Sequence, residues 1–359
     1  DIQVLRDVVS RKADAARANY YLGNLYYDKL QYDQAISLWE KSEELDDSFP
    51  TLERNLSIAY FNKRGEREKA LERLERAFAL DRSDARVFLE LDQLYQKLSY
   101  TPAQRLEKFR ENIGLIEKRD DLYTEYVTVL NLNGLHQEAY DAIIAHNFQT
   151  WEGAEGKIST QYKTALLEIA KKAFGSGDDA KAERYLLSAL DLPLSLGEGR
   201  LEGTKDNHIY FTLGLVYERQ GRVKEAGECF EKATLGAMEP AGMMYYYDQP
   251  ADMILYQGLA KAKLGLLGEA NARFYRLVDY GEQHIRDIFK MDYFAVSIPD
   301  MSVFDADMTQ KNVDHCNYLM GLGKLGLGKN AEAAACFDRV LKSDPNHQNA
   351  AIYRKMTEM

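Results

Sequence analysis

At 359 residues, with 45% hydrophobic and 29% charged side chains, the chain has the make-up of a folded protein, long enough for two or three domains or one long repeat array. Its formal charge of −11 argues against a nucleic-acid partner, which needs a basic stripe, and against electrostatic attachment to anionic lipid. No apolar run nears the ~18–20 residues that a membrane-spanning helix needs. The chain starts at Asp1 with neither an initiator Met nor a leader, and so reads as a fragment of a longer protein. Cys229, Cys316 and Cys336 are too far apart for a metal motif and odd in number for a disulfide framework, so they read as small buried hydrophobes.

Small residues and aromatics recur at fixed distances along the chain. Leu22-Gly23, Tyr26, Ala35 and Trp39 make one copy, and Leu56, Tyr60, Ala70, Leu74 and Ala77 make a slightly stretched second. Leu91, Tyr95, Leu106 and Phe109 form a weaker third, with Pro102 opening its second helix. Gly134, Ala139 and Ile143 mark a fourth, and Gly177, Ala182, Leu186 and Ala189 a fifth. The sixth is the clearest: YFTLGLVYERQGRVKEAGECFEKA, residues 210–233. Gly258, Gly265, Ala270 and Phe274 follow, then Gly321, Gly328, Ala333, Phe337 and Pro345. Leu22 to Leu56 is 34 residues and Leu56 to Leu91 is 35. Apolar positions three or four apart predict one buried stripe per helix, and the small residues predict where paired helices touch. All seven prolines fall between predicted helices or at a helix start, avoiding the ~3 kcal/mol cost of an interior position.

The 210–233 segment resembles the tetratricopeptide repeat, a helix–turn–helix of ~34 residues, and the other copies extend that resemblance over nearly the whole chain. It implies an all-α fold: a right-handed α-solenoid of about eight helix pairs with ordered insertions and a concave groove lined by the first (A) helix of each pair. The expected partition is an N-terminal array over 1–190, with about five repeats, and a C-terminal array over 191–359, with about three. Insertions are expected at 191–206, 236–250 and 281–311, and a capping helix at 346–357, all in one continuous superhelix.

Several patterns imitate chemistry. Gly321-Leu-Gly323-Lys-Leu-Gly326 spells a dinucleotide fingerprint, but its glycines fall at the small-residue positions of the last repeat's A helix and no strand precedes them. The six histidines form no metal-ligand spacing, and no cofactor or metal is expected. His208 and His315, near the starts of A helices, read as solvated helix N-termini rather than groove lining. Asp300, Asp305 and Asp307 lack calcium-loop spacing and suit the N-terminus of the following helix.

By position in the repeat, the groove is expected to present Tyr20, Asn24 and Tyr27, then Arg54, Ile58 and Phe61, and later Phe211, Leu215 and Arg219. Tyr245, Tyr246 and Tyr247, in the second insertion, add a candidate adhesive surface. The favoured function is a non-catalytic scaffold that binds a peptide or partner domain through aromatic anchors, its own N-terminal region being one candidate partner. The alternative is an accessory module for carbohydrate recognition or docking, with these tyrosines and the aromatics of 289–304 stacking on sugar. An enzyme site near His284, Asp292 and Asp305 is the third option. The run KMDYFAVSIPDMSVFDADM, residues 290–308, with the sequence after it, resembles the C-terminal part of large uncharacterised bacterial proteins, which implies a β-rich, carbohydrate-associated region upstream. That run is too apolar for a spacer and is expected to pack against the repeats, across the groove.

Overall fold

A computed structural model describes residues 2–149, 154–200, 203–243, 249–289 and 302–358. Among the described residues the fold is all-α, without a strand. The chain packs as two compact units: residues 1–100, 110–122 and 302–305 form the first, and residues 101–109, 123–301 and 306–359 the second. This grouping follows packing, whereas a partition at 190 follows the lengthening of a linker.

Unit 1 begins with α1 (Ile2–Arg11), followed by the pairs α2 (Ala16–Asp28) with α3 (Tyr32–Leu45) and α4 (Pro50–Ala59) with α5 (Arg67–Leu80), and then α6 (Ala85–Lys97). α7 (Pro102–Glu111) and α8 (Asp120–Leu132) lead into unit 2. That unit continues with α9 (His136–Ala145), α10 (Lys157–Gly175), α11 (Asp179–Ala189), α12 (Asn207–Arg219) and α13 (Val223–Ala233). It ends with α14 (Asp252–Lys263), α15 (Leu267–His284), α16 (Met308–Gly326), α17 (Asn330–Ser343) and α18 (Gln348–Met356).

The repeat residues hold each pair together. Ala35, Ala70, Ala182, Ala226, Ala270 and Ala333 are all buried, as are the three free cysteines. In α12, a methyl group on Gly214 would lie 2.6 Å from the Phe230 ring of α13. α16 explains the apparent nucleotide motif in the same way. A methyl on Gly321 would strike the Phe337 ring, one on Gly323 the Phe274 carbonyl oxygen, and one on Gly326 the Phe274 ring. The three glycines thus lie inside a 19-residue helix where α15 and α17 press against it, and their N–H groups serve the helix. Gly323→Ala is expected to destabilise unit 2 by about 1–3 kcal/mol despite alanine's better helix propensity, because a backbone oxygen cannot move aside. Urea unfolding followed by circular dichroism measures this.

The insertion 191–206 also has structural work. The Glu198 carboxylate accepts hydrogen bonds from the backbone N–H groups of Gly156 and Ser159 (2.8 Å each) and so caps the start of α10, while Leu196 is buried. Glu198→Ala is expected to cost about 1 kcal/mol, the usual value of a lost cap, read as a lower melting temperature.

Candidate functional site

The second helix pair is one residue too long. Leu22 to Ala35, Leu213 to Ala226, Gln257 to Ala270 and Met320 to Ala333 each span 13 residues, whereas Leu56 to Ala70 spans 14. The extra residue is absorbed at the end of α4, where Tyr60–Arg64 form a π-helical turn closed by Gly65 at φ 66°. Such a turn widens the helix locally and rotates the residues after it, a device common at functional sites.

Here the turn presents Phe61, Asn62 and Lys63 to the segment Ser302–Asp305, which belongs to the same unit. The Asn62 side-chain amide donates to the Val303 carbonyl (2.8 Å), and its oxygen accepts the Asp305 N–H (2.8 Å). One side chain thus pairs with a donor and an acceptor of a backbone that bends at Val303 and Phe304. Between those two bonds Phe304 is 2% exposed, with its ring edge-on to Phe61 at 5.2 Å. Lys63 Nζ lies 4.0 Å from the Asp305 carboxylate and 4.8 Å from the centre of the Tyr32 ring. Tyr27 completes the aromatic row, edge-on to Tyr32 and stacked on Trp39. Burial, then Tyr32 and Asp305, push the Tyr27 phenol above its ordinary pKa, so it stays a neutral donor.

The other expected groove residues have different neighbours. Tyr20 is buried against Phe49, and its hydroxyl accepts from Asn55. Asn24 accepts the Trp39 indole N–H at 3.0 Å. Arg54 forms a two-pronged pair with Glu90 that ties α4 to α6. Ile58 is half-buried. In unit 2, Phe211 lies between Phe230 and Tyr256, and Leu215 is half-buried. Arg219 is stacked over Phe174, donates to the Phe174 carbonyl and pairs with Asp179. Tyr245, Tyr246 and Tyr247 lie outside the described residues, as do Asp292, Pro299, Asp300 and residues 290–301 of the apolar run.

Sequence position alone missed Asn62 and Lys63, because regular helix geometry turns them away from the A-helix face. The signal available was the 14-residue spacing itself. Asp307 caps α16 as expected, accepting from the Gln310 N–H at 3.0 Å. The histidines differ from expectation. His208 Nδ1 is buried without a hydrogen-bond partner, and burial brings that imidazole's pKa down to about 3. His315 meets the Ala241 carbonyl at 3.0 Å, and burial lowers its pKa too. Neither is a solvated helix end: Ala241 meets His315, and Tyr256 of α14 lies beside His208. His284 faces Asp287 at 2.8 Å. Among the described residues, no group of three or more His, Cys, Asp or Glu is placed to hold a metal, and no helix is long and apolar enough to cross a membrane.

Antiparallel helix pairs notched by glycine or alanine and succeeding one another along the chain define a helical-repeat protein. Residues 208–235 match a family model described as tetratricopeptide repeat, and residues 318–354 match a second model of the same description, so the chain carries tetratricopeptide repeats at those two places. Among solved structures it is similar to a tetratricopeptide repeat protein from Parabacteroides merdae, at 10% identity and TM-score 0.42 over 99% of this chain and 100% of that one. It is also similar to YrrB, titled a TPR protein with an unusual peptide-binding site, at 17% identity and TM-score 0.39 over 53% of this chain and 93% of that one. A third is Naa15/Naa10 bound to HypK-THB, at 10% identity and TM-score 0.43 over 98% of this chain and 62% of that one.

Proposed function

We propose that the chain is a non-catalytic interaction scaffold whose unit 1 binds a peptide carrying an aromatic residue followed by an acidic one. The carrying observation is the Asn62 clamp, which pairs with both hydrogen-bonding groups of a bound backbone while Phe304 fills an aromatic slot. Main-chain hydrogen bonds of this kind supply affinity without regard to sequence, and the flanking pockets supply preference. Phe61 favours an aromatic ring by edge-to-face contact. Lys63 favours an acid after it, modestly, because an exposed ion pair contributes little. Residues 302–305 are then a ligand provided by the chain itself, which an external peptide of the same chemistry displaces.

The test is a displayed peptide library panned on the full chain. Sequences with an aromatic residue followed by Asp or Glu are expected to be enriched, and Asn62→Ala is expected to abolish the enrichment. Recovery of no consensus, or of one that survives Asn62→Ala, overturns the reading.

A further inference from the structure

The last helix of a repeat array ordinarily meets only the pair before it. α18 meets that pair, with Tyr353 beside Tyr318 and Phe337, but its segment also reaches far earlier parts of unit 2. Arg105 of α7, 1% exposed, donates to the Asn346 side chain at 3.0 Å. Gln348 pairs with Gln161 of α10 at 3.0 Å, and Gln161 is held in turn by Asn131 of α8. Tyr353 donates its hydroxyl to the Asp252 Oδ2 of α14 at 2.8 Å, across 101 residues of sequence. The segment therefore meets α7, α10 and α14 of its own unit, as a bound helix would.

Two features mark this occupant as exchangeable. α18 has nine residues, below the length at which an isolated helix is stable, and only Ala350 and Tyr353 of it are buried. Nor does it satisfy the floor beneath it: Asp252 is 7% exposed, yet its Oδ1 has no hydrogen-bond partner. A buried carboxylate oxygen without a donor is costly and calls for a ligand that brings one.

We propose that the face of unit 2 built by α7, α10 and α14 is a second recognition site, for a helical segment of a partner that presents a side-chain amide in its first turn and a tyrosine about five residues later. Residues 346–356 hold the site in the partner's absence. Gln161 and Arg105 read the amides, and Asp252 reads the phenol together with a further donor. This rests on the scaffold reading but uses other residues, another unit and a helix in place of the short segment held by Asn62.

The experiment uses the full chain and a fluorescein-labelled synthetic peptide of residues 345–359, followed by anisotropy. Tyr353→Phe in the chain removes the bond to Asp252 and loosens the resident segment, so that variant is expected to bind the peptide at least tenfold more tightly than the parent. A peptide carrying the same Tyr353→Phe change is expected to bind at least tenfold more weakly than the unaltered one. Amide hydrogen exchange reads the parent directly: residues 346–358 are expected to exchange faster than the rest of unit 2, and faster still once Tyr353 is replaced. Equal or absent peptide binding in both chains, or exchange of 346–358 only on global unfolding, overturns the proposal. If Tyr353→Phe unfolds the chain, Gln348→Ala replaces it under the same criteria. Failure here with the Asn62-dependent library result intact removes only the second site, and the converse removes only the first.

Discussion

Asn62→Ala is expected to free the Asp305 amide and speed its hydrogen exchange about 10–100-fold. That amide has Asn62 Oδ1 as its acceptor, and the same substitution removes the donor to Val303. Each lost bond contributes about 0.5–1.5 kcal/mol net, and about 1.4 kcal/mol is a factor of ten in the opening equilibrium. Asn62→Asp separates the two bonds: it keeps an acceptor for Asp305, loses the donor, and sets two carboxylates close together, so it should open the segment at least as far. Exchange on Phe78 or Leu94 in the core of unit 1 should not change with either variant, because neither residue touches the clamp. Uniform acceleration across unit 1 would mean that Asn62 supports the fold rather than the peptide.

The second large effect is acid sensitivity in unit 2. All six histidines lie in that unit and none in unit 1. Burial brings His208 from the ordinary imidazole pKa of 6.5 to about 3, with Lys171 and Lys163 acting in the same direction and Asp206 against it. Because the folded pKa is the lower one, the unfolded chain takes up the proton first as pH falls. The stability that neutral His208 confers is therefore complete above pH 6.5 and is lost progressively between 6.5 and 3. At pH 5 the loss amounts to about 2 kcal/mol. His136, His315 and His347 are lowered by burial as well and add in the same sense. Asp252 and Asp314, raised by burial, act oppositely, so the clean readout is the difference between the parent and His208→Gln. Urea titrations of unit 2 at pH 7 and pH 5 should show the parent losing about 2 kcal/mol more than the variant. Parallel losses in the two chains would contradict a buried neutral imidazole.

Unit 1 responds in the other direction at its most deeply buried carboxylate. Burial pushes Glu53 up to about 7, against the nearby Arg76. A raised carboxyl pKa favours the folded state as pH falls from 7 toward 4.5, so mild acid should stabilise unit 1 relative to unit 2.

The helix pairs were legible because their signal is periodic and redundant. One glycine opposite one aromatic residue, repeated at Gly23 and Trp39, Gly214 and Phe230, Gly258 and Phe274, and Gly321 and Phe337, fixes where two helices cross. The clamp was half legible. Tyr27 and Phe61 follow from repeat position, but Asn62 and Lys63 depend on a single inserted residue whose effect is a change of helix type, which periodicity averages away. Tyr20 and Arg54 show what repeat position leaves out. Each meets a neighbour, Phe49 or Glu90, that local sequence does not reveal. The placement of α18 was invisible for a related reason: its spacing is that of an ordinary capping helix, and only Arg105, Gln161 and Asp252, each distant in sequence, show what it lies against.

The most direct measurement is a titration of labelled Ser-Val-Phe-Asp-Ala-Asp peptide into the full chain carrying Phe304→Ala, which empties the aromatic slot. That variant should bind the peptide at least tenfold more tightly than the parent, whose own segment competes, and adding Asn62→Ala should abolish binding. Equal affinity in parent and variant, or binding indifferent to Asn62, would contradict a site built to hold a peptide through Asn62.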